Sequence, residues 1–283
     1  MWKDKYKCKI MRPELQKKID QSIRILRMMS NAYGGVMELG YSGGKDSDVI
    51  LQLAREAGIP IRPIYKCTTI DPPGTIKHAQ EMGVEIIRPK QTFAQLVAKK
   101  GMPNRQRRFC CDMLKEYKIM DKVIIGVRRE ESAKRAERYK EPTACRIYGE
   151  GCETEQILPI LDWTTLDVAE FLQDRKIKCA PMYYDEQGRF HPERRLGCLG
   201  CPLASREHRL AEFSTYPGMV KLYIKACKQF FATHPKSKAV TDNNNDPYAY
   251  FARNVFYDGK PITGDLFDTD WKQAIETYFN IKF

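Results

Sequence analysis

Short apolar segments alternate with amphipathic segments over about the first 175 residues, and this alternation restricts the fold more than any other feature of the chain. An apolar segment followed by an amphipathic one is typical of a strand followed by a helix. The alternation predicts strands at 36–41, 59–65, 84–88, 122–127 and 156–161, and helices at 47–57, 74–82, 92–99, 111–120 and from 164 onward. Strands that alternate with helices form parallel sheets. We therefore expect an α/β fold with an open, mostly parallel sheet and helices on both faces.

The two ends of the chain differ from this pattern. Residues 14–30 place Leu15, Ile19, Ile23, Leu26 and Met29 at spacings of three and four, which predicts a leading amphipathic helix. The alternation is lost after Phe190, and helices are expected again at 219–232 and 270–279. The sequence thus predicts a helical C-terminal extension.

Composition limits the class of protein. A 42% hydrophobic content excludes a disordered chain. No apolar segment approaches the roughly 18 residues of a membrane span, and the first twenty residues hold no apolar stretch typical of a secretion signal. With ten Cys and no such signal, metal or redox chemistry is favoured over disulfides. We expect a cytoplasmic protein with no membrane partner.

Positive charge is concentrated in two segments. The net charge is +12. Residues 1–28 hold nine Lys and Arg against three Asp and Glu, and residues 99–146 hold fifteen against seven. This distribution suits a polyanionic partner or a phosphorylated substrate. A solvated surface of Lys-rich helices is the alternative.

A glycine-rich turn joins the first predicted strand to the helix at 47–57. Its sequence is Ser-Gly-Gly-Lys-Asp-Ser at 42–47. Glycines allow backbone amides to face a ligand, and the helix N-terminus adds a positive dipole end, so a phosphate is the expected occupant. The turn is not a Walker A loop, because Leu39 replaces its first Gly and Asp46 follows the Lys.

This turn resembles the PP-loop of the adenine-nucleotide alpha-hydrolase superfamily. The resemblance implies a nucleotide whose phosphates are held by residues of the turn, which are Ser42, Gly43, Gly44, Lys45 and Ser47. It also implies that Asp46 helps to hold Mg²⁺ in members that cleave ATP.

A basic segment follows the strand predicted at 122–127. In an open parallel sheet, ligands bind at the carboxyl ends of strands, and Arg offers paired donors to a phosphate. The segment resembles the G-x-R-x-x-E-S-x-x-R element of the phosphosulfate (PAPS) reductase family. Arg128, Glu131, Ser132 and Arg135 match that spacing, and the resemblance adds them to the expected nucleotide site. We expect the adjacent Arg129 to belong to the same site. We expect Lys45, Asp46 and Arg128 to be catalytic.

Four cysteines form a third pattern, Cys110-Cys111 and Cys198-x-x-Cys201. Four thiolates suit zinc or a 4Fe-4S cluster, and adjacent cysteines are easier to accommodate on a cluster. Unliganded thiols are a further alternative. The spacing resembles that of the iron-sulfur sulfonucleotide reductases, which implies a 4Fe-4S cluster on these four residues. No such spacing connects the remaining cysteines, Cys8, Cys67, Cys145, Cys152, Cys179 and Cys227.

The segment at 158–164 is a fourth element of this resemblance, in which we expect Trp163 to pack and Thr164 to cap a helix. The chain departs from the reductases at its end. They use a cysteine on a C-terminal tail, whereas the last cysteine here is Cys227, inside a predicted helix.

A second branch of the family uses ATP, namely the ATP-pyrophosphatase subunits of DNA phosphorothioation systems. The resemblance to that branch implies an enzyme that binds ATP and Mg²⁺, adenylates an acceptor and acts with DNA, a cysteine desulfurase and other modification subunits. A homodimer is also expected. The alternatives are a phosphoadenylyl or adenylyl sulfate reductase and a nucleotide-binding regulatory subunit.

These expectations divide the chain into three segments. They are a basic N-terminal helix at 1–30, a PP-loop nucleotide-binding domain with the cysteine cluster at 31–205, and the helical C-terminal extension at 206–283.

Overall fold

A computed structural model describes residues 11–148, 152–260 and 269–283. The chain divides into two compact units. The first contains residues 1–67, 72–88 and 116–196, and the second contains residues 68–71, 89–115 and 197–283. The three segments expected from the sequence stay a prediction.

The first unit contains a six-stranded sheet. Its strands are β1 (Met37–Tyr41), β2 (Ile61–Lys66), β3 (Glu85–Ile87), β4 (Lys122–Ile124), β5 (Thr143–Tyr148) and β6 (Cys152–Ile157). They lie in the order β3-β2-β1-β4-β6-β5. All neighbouring pairs are parallel except β5 and β6. The expected mostly parallel α/β fold is confirmed.

Twelve helices occur in the described ranges. They are α1 (Pro13–Tyr33), α2 (Lys45–Ala57), α3 (Thr75–Glu81), α4 (Phe93–Lys100), α5 (Phe109–Leu114), α6 (Ala133–Arg138), α7 (Thr165–Asp174), α8 (Arg206–Thr215), α9 (Pro217–Thr233), α10 (Lys238–Thr241), α11 (Pro247–Phe256) and α12 (Trp271–Phe279). None of them is both long and apolar enough to cross a membrane.

Local sequence signals fix several of these helices. Gly58 adopts the left-handed conformation that ends α2, as its position predicted. Thr164 caps α7 through a reciprocal pair of hydrogen bonds with Asp167. The apolar stripe of α1 packs into the core of the first unit through Leu15, Ile19 and Leu26, all fully or almost fully buried. Trp163 is buried in the same core, as expected.

The second unit has a core of its own. It is built from α4, α5 and the helices α8 to α12, with Phe93, Phe213, Tyr223 and Phe251 among its most buried side chains. The predicted helices at 219–232 and 270–279 are confirmed by α9 and α12. The helical C-terminal part is therefore present, and α8 and α11 were not anticipated.

Some predicted element boundaries are wrong. The strand expected at 156–161 begins at Cys152 and ends at Ile157, because Pro159 has no N–H for the ladder and residues 158–163 form turns. The helix expected at 111–120 is α5, which begins at Phe109 and ends at Leu114. The strand expected at 122–127 ends at Ile124. Strand β5 was missed.

Ion pairs to the capping residue Asp167 connect α1 to α7. The Asp167 carboxylate is buried and accepts from Arg12 Nη2 and from Lys18 Nζ, each at 2.6 Å. Burial by itself would raise the pKa of Asp167, but hydrogen bonds from Lys18 and Thr164 outweigh it and lower the pKa. The charged form is therefore stabilised in the folded state.

We predict that Asp167→Asn destabilises the protein by about 1–3 kcal/mol at neutral pH, because it removes the negative charge that pairs with Lys18 and Arg12, although Arg12 keeps its pair with Glu170. Since the folded-state pKa lies below the unfolded value of about 3.9, this stabilisation is complete above that value and is lost as the pH falls through the folded-state pKa. Urea unfolding of both proteins between about pH 7 and pH 3 measures the difference, which should shrink only at the acid end.

Arg62→Gln is the matched control, because it breaks an exposed ion pair with Glu85 on the sheet of the same unit. It should change stability little at any pH. Equal destabilisation by both substitutions would contradict the role given to Asp167.

Candidate functional site

The order of the strands determines where a ligand can bind in the first unit. The chain runs from β1 outward through β2 and β3, and then returns to the other side of β1 with β4. The connection after β1 therefore leads toward β2, and the connection after β4 leads toward β6 on the opposite side of the sheet. Ligands of open parallel sheets bind at such a switch point.

The turn after β1, residues 42–44, is shaped by its glycines. Gly43 has a φ of 78°, and a Cβ there would lie 2.5 Å from Thr75 Cγ2. Gly44 begins α2 without a capping side chain, so the positive end of the helix dipole faces this turn. This geometry is suited to a phosphate, and phosphate binding by the loop stays a prediction.

The two serines of the motif are joined within this loop. Ser42 Oγ accepts from the Gly44 amide at 3.3 Å and lies 3.4 Å from Ser47 Oγ. Ser47 is buried, and its hydroxyl donates to the Gly44 carbonyl at 2.6 Å. Ser42 is exposed, which leaves its hydroxyl accessible to a bound ligand.

Lys45 and Arg128 lie on either side of Asp46. Lys45 Nζ is 3.1 Å from Asp46 Oδ2, and Arg128 Nε is 2.7 Å from Asp46 Oδ1. Both cations are buried, with relative exposures of 5% and 2%. The three residues expected to be catalytic are therefore in direct contact.

Gly126 allows this contact to form. A Cβ at this position would lie 2.9 Å from the backbone oxygen of Asp46, so only glycine permits the segment after β4 to approach α2 so closely. Arg128 follows two residues later and also donates to Glu130 Oε2 at 2.7 Å. The first Gly of the arginine motif thus has a steric role.

A second cationic group surrounds Glu131. This carboxylate accepts from the Arg128 amide at 3.1 Å and forms ion pairs with Arg135 and with Arg195, the latter at 3.3 Å. Burial lowers the pKa of Arg135, and the nearby charge of Arg195 lowers it further. An anion bound here would relieve this repulsion. Ser132 caps α6 by accepting from the Arg135 amide.

Arg129 is the exception in the predicted set. Its guanidinium pairs with Asp162 and donates to the carbonyl oxygens of Tyr139 and Lys140. These contacts connect the segment after β4 to the residues that follow α6 and to the turn that follows β6. The structure therefore does not bring Arg129 together with Lys45, Asp46 and Arg128 through any hydrogen bond or ion pair it describes.

Two residues near the loop had no sequence signal. Tyr183 is buried, its hydroxyl accepts from the Lys45 amide at 3.3 Å, and its ring centroid is 5.7 Å from Lys45 Nζ. Arg195 was visible only as a neighbour of the cysteine motif. Both depend on contacts more than 60 residues apart, which no local pattern reveals.

A buried polar cluster supports the first turn of α2. Asp48 is fully buried and accepts from Tyr41, which ends β1, and His78 Nε2 lies 2.9 Å from the same carboxylate oxygen. Burial raises the pKa of Asp48. The cluster fixes the residues that precede and follow the phosphate loop.

The four motif cysteines come together in the second unit. Cys110 and Cys111 lie in α5, and Cys198 and Cys201 lie in the turn that precedes α8. All four line one pocket with Thr68, Lys115 and Tyr223. A hydrogen bond with Cys111 raises the pKa of Cys110, and burial and the other thiols raise it further. Four adjacent thiolates would need a positive centre to be stable.

Metal binding by these residues remains an expectation. Among residues 11–148, 152–260 and 269–283, no three Cys, His, Asp or Glu side chains converge as ligands of one metal ion. A cube with four separate irons does not require its ligands to meet at one atom.

The other described cysteines differ in accessibility. Cys67, Cys179 and Cys227 are buried, whereas Cys145 on β5 is exposed. Burial also raises the pKa of Cys227. Cys8 and the side chain of Cys152 lie outside the described residues.

Comparison with known proteins identifies relatives of the chain. The model of the phosphoadenosine phosphosulfate reductase domain matches residues 37–204. An uncharacterized protein of Methanocaldococcus jannaschii is 27% identical over 230 residues, which cover 77% of this chain and 54% of that protein. A sulfate adenylyltransferase subunit 2 of Chromohalobacter salexigens is 25% identical over 210 residues, covering 61% of this chain and 68% of the subunit. The chain thus spans about half the length of the archaeal relative.

Two solved structures are similar at low levels. A phosphoadenylyl-sulfate (PAPS) reductase from Candida auris superposes with a TM-score of 0.45 at 14% identity, covering 68% of this chain and 97% of that one. The U34-tRNA thiolase NcsA from Methanococcus maripaludis, with its [4Fe-4S] cluster, gives a TM-score of 0.38 at 17% identity, covering 90% of this chain and 86% of that one. Similarities this low do not bear on function.

The matched region of the family model includes every strand of the sheet, the phosphate loop, the arginine motif and the four clustered cysteines. It covers more than half of the chain. The resemblance expected from the motifs is confirmed, and the chain belongs to the phosphoadenosine phosphosulfate reductase domain family.

Proposed function

We propose that this protein is an ATP pyrophosphatase that adenylates an acceptor for sulfur incorporation, and that the acceptor is DNA that undergoes phosphorothioation. The observation that carries the proposal is the placement of two buried cations, Lys45 and Arg128, on either side of Asp46 beside a phosphate loop. Buried cations next to a leaving phosphate stabilise the charge that develops there.

The first step of the proposed reaction makes one bond and breaks one bond at the α-phosphorus of ATP. An oxygen of the acceptor attacks the α-phosphorus of ATP, and the bond from that phosphorus to the bridging oxygen of the β-phosphate breaks. Pyrophosphate leaves with the electron pair, while Lys45 and Arg128 neutralise its charge. The terminal sulfur of a persulfide on a cysteine desulfurase then attacks the phosphorus of the acceptor, and the bond to the adenylated oxygen breaks, so that this oxygen leaves with AMP. A thiol reductant cleaves the remaining S–S bond, which leaves the sulfur on phosphorus and joins the reductant and the desulfurase cysteine in a disulfide.

Asp46 is the residue that would hold Mg²⁺. Magnesium sites with ATP commonly use one or two carboxylates together with phosphate oxygens. A bound ion would supply further positive charge to the pyrophosphate. Both Asp46 oxygens accept from the flanking cations, which positions the carboxylate.

The accessibility of the cysteines favours this reaction over sulfonucleotide reduction. A reductase needs a thiol that reaches the sulfur of its substrate. Outside the four clustered residues, Cys67, Cys179 and Cys227 are buried, and burial raises the pKa of Cys179 and Cys227. A buried protonated thiol is a poor nucleophile. Cys145 alone is exposed among the described thiols of this group, and it lies on β5, an edge strand that β6 separates from β4.

The names of the relatives also favour adenylyl transfer. Several curated relatives are sulfate adenylyltransferase subunits, a name that describes transfer of an adenylyl group. They support ATP as the nucleotide. The net charge of +12 supports a polyanionic acceptor. The desulfurase, the other modification subunits and the homodimer stay predictions.

We also propose that Cys110, Cys111, Cys198 and Cys201 hold a 4Fe-4S cluster. The half-buried Lys115 supports this assignment. Burial lowers its pKa, but the charges of Cys198 and Asp71 outweigh that effect and raise it. A lysine cation beside four thiolates suits a centre with net negative charge. A cluster held there would connect α5 to the turn before α8, within the second unit.

We expect Lys45→Ala to reduce kcat/KM for pyrophosphate release from ATP at least ~100-fold, because it removes a fixed cation from the leaving group. The assay is anaerobic and contains Mg²⁺ and DNA. Lys77→Ala is the control, since this lysine is exposed on α3 and pairs only with Glu81. It should retain full activity.

The same preparation is tested with adenylyl sulfate and phosphoadenylyl sulfate plus a thiol donor. No sulfite is expected. Sulfite release without pyrophosphate release would identify a reductase and refute the proposal. Tight ATP binding with neither product would also refute it and would indicate a nucleotide-binding regulatory subunit.

For the cluster, we predict that Cys198→Ser removes the broad visible absorption and lowers the iron content of the anaerobically purified protein. Cys145→Ser is the control, because this thiol is exposed and belongs to the other unit. It should leave both readings unchanged. Stoichiometric zinc in a colourless wild-type protein would contradict the cluster.

A further inference from the structure

We propose that a basic turn in the second unit is a docking surface for the phosphate backbone of DNA. The basic turn is defined as Lys99 and Lys100, which end α4, together with Arg105 and Arg107, which lie between α4 and α5. The inference rests on the proposed function, which requires DNA as the acceptor. It adds the place on the protein where DNA binds.

The basic turn lies within an acid-free stretch. Residues 89–111 contain six Lys and Arg and no Asp or Glu. All four side chains of the basic turn are exposed. No carboxylate in the part of the chain that the structure describes forms an ion pair with any of them.

Some exposed cations elsewhere in this protein are paired, as Lys77 is with Glu81 and Arg62 is with Glu85. The arginines of the basic turn instead donate to main-chain carbonyls. Arg107 Nη2 donates to Lys100 O at 2.8 Å, and Arg105 Nη2 donates to Ala204 O at 3.2 Å. These contacts orient the guanidinium groups without neutralising them.

The backbone of the turn is also held in place. Asn104 Oδ1 accepts from the amides of Gln106 at 2.9 Å and Arg107 at 2.8 Å, and the Asn104 amide donates to Arg107 O at 3.2 Å. This is a local side-chain-to-backbone turn. The positive charges are therefore displayed on a structured segment, which reduces the entropy lost when they contact phosphates.

Exposure distinguishes this surface from the phosphate loop. Lys45 and Arg128 are buried and suit a small anion enclosed by protein. The four cations of the basic turn are open to solvent and suit a long polyanion that binds from outside. Duplex DNA presents one negative charge per ~1.7 Å of its axis, so several cations can be satisfied at once.

The basic turn also borders the cysteine segments of its own unit. Arg107 and Arg108 immediately precede Phe109, Cys110 and Cys111, and Ala204, which accepts from Arg105, lies three residues after Cys201. DNA on this surface would thus be held beside the candidate cluster.

The experiment compares two triple variants of the full-length protein. In the first, Lys99→Gln, Lys100→Gln and Arg105→Gln remove three charges and keep Arg107, which braces the turn. In the second, Lys221→Gln, Lys225→Gln and Lys228→Gln remove three exposed lysines from α9. None of these lysines forms an ion pair with a carboxylate among the described residues. They lie on the solvent-exposed face of an amphipathic helix, where lysines are expected whether or not the protein binds DNA.

Binding of a short labelled DNA duplex is measured by fluorescence anisotropy across salt concentrations. Each lost phosphate contact should reduce the slope of log K against log salt by ~0.9, so the first variant should lose ~2.7 and the second less than ~1. An unchanged slope in the first variant, or equal losses in both, would overturn the proposal. Tighter binding of an RNA duplex than of DNA would overturn DNA as the partner.

An assay of pyrophosphate release distinguishes failure of the docking surface from failure of the proposed function. In the first variant, the DNA concentration for half-maximal release should rise, while the KM for ATP stays unchanged. Normal DNA binding with no pyrophosphate release would refute the proposed function and leave the docking surface standing. DNA-dependent release that is unaffected in the first variant would refute the docking surface alone.

Discussion

The ion pairs of Asp46 connect the two chain segments that form the proposed nucleotide site of the first unit. Asp46 belongs to the first turn of α2, and Arg128 belongs to the segment after β4. Arg128 is almost completely buried, and a buried guanidinium is stable only when its charge is compensated. Asp46 and Glu130 supply that compensation. The same contacts hold the phosphate loop against the neighbouring strand, so the site is preformed without its ligand.

This preformed state sets a condition on any nucleotide. Its phosphates must interact with Lys45 and Arg128 at least as favourably as Asp46 and Glu130 do. A ligand changes an arrangement of side chains only if it binds the new arrangement more tightly than the old one. A triphosphate with a divalent cation satisfies the condition on both sides, because the phosphates bind the cations and the metal binds the carboxylate. Around Glu131 the balance differs. There Arg135 and Arg195 share one carboxylate, and the excess positive charge favours an anion directly.

The sequence predicted those parts of the structure that local chemistry determines. Gly58 ended α2 as expected, and Thr164 capped α7. Repeated alternation predicted the mostly parallel sheet, although β4 is shorter than expected. Tyr183 and β5 could not be predicted. Tyr183 contacts Lys45 across 138 residues, and β5 is an edge strand whose pairing with β6 depends on the hairpin rather than on a buried apolar run.

The candidate site shows the same division between local and distant signals. The sequence predicted that Lys45, Asp46 and Arg128 lie in one crevice, because the phosphate loop and the arginine segment each follow a strand of a parallel sheet. These strands, β1 and β4, are neighbours at the switch point. Residue type does not distinguish Arg128 from Arg129, since they are adjacent and identical in chemistry. Their roles separate only through Asp162 and the carbonyls of Tyr139 and Lys140, which give Arg129 a complete set of local acceptors.

Two kinds of cation therefore coexist in this protein, and burial explains the difference between them. A buried cation requires partners within the protein, so Lys45 and Arg128 carry carboxylates that fix their geometry before a ligand arrives. An exposed cation is stabilised by water and needs no such partner, so Lys99, Lys100, Arg105 and Arg107 can remain uncompensated at little cost. The first arrangement gives geometric control over a reacting phosphate. The second gives attraction that depends on salt and tolerates movement along a polymer, as expected where the protein must bind many positions of one long substrate.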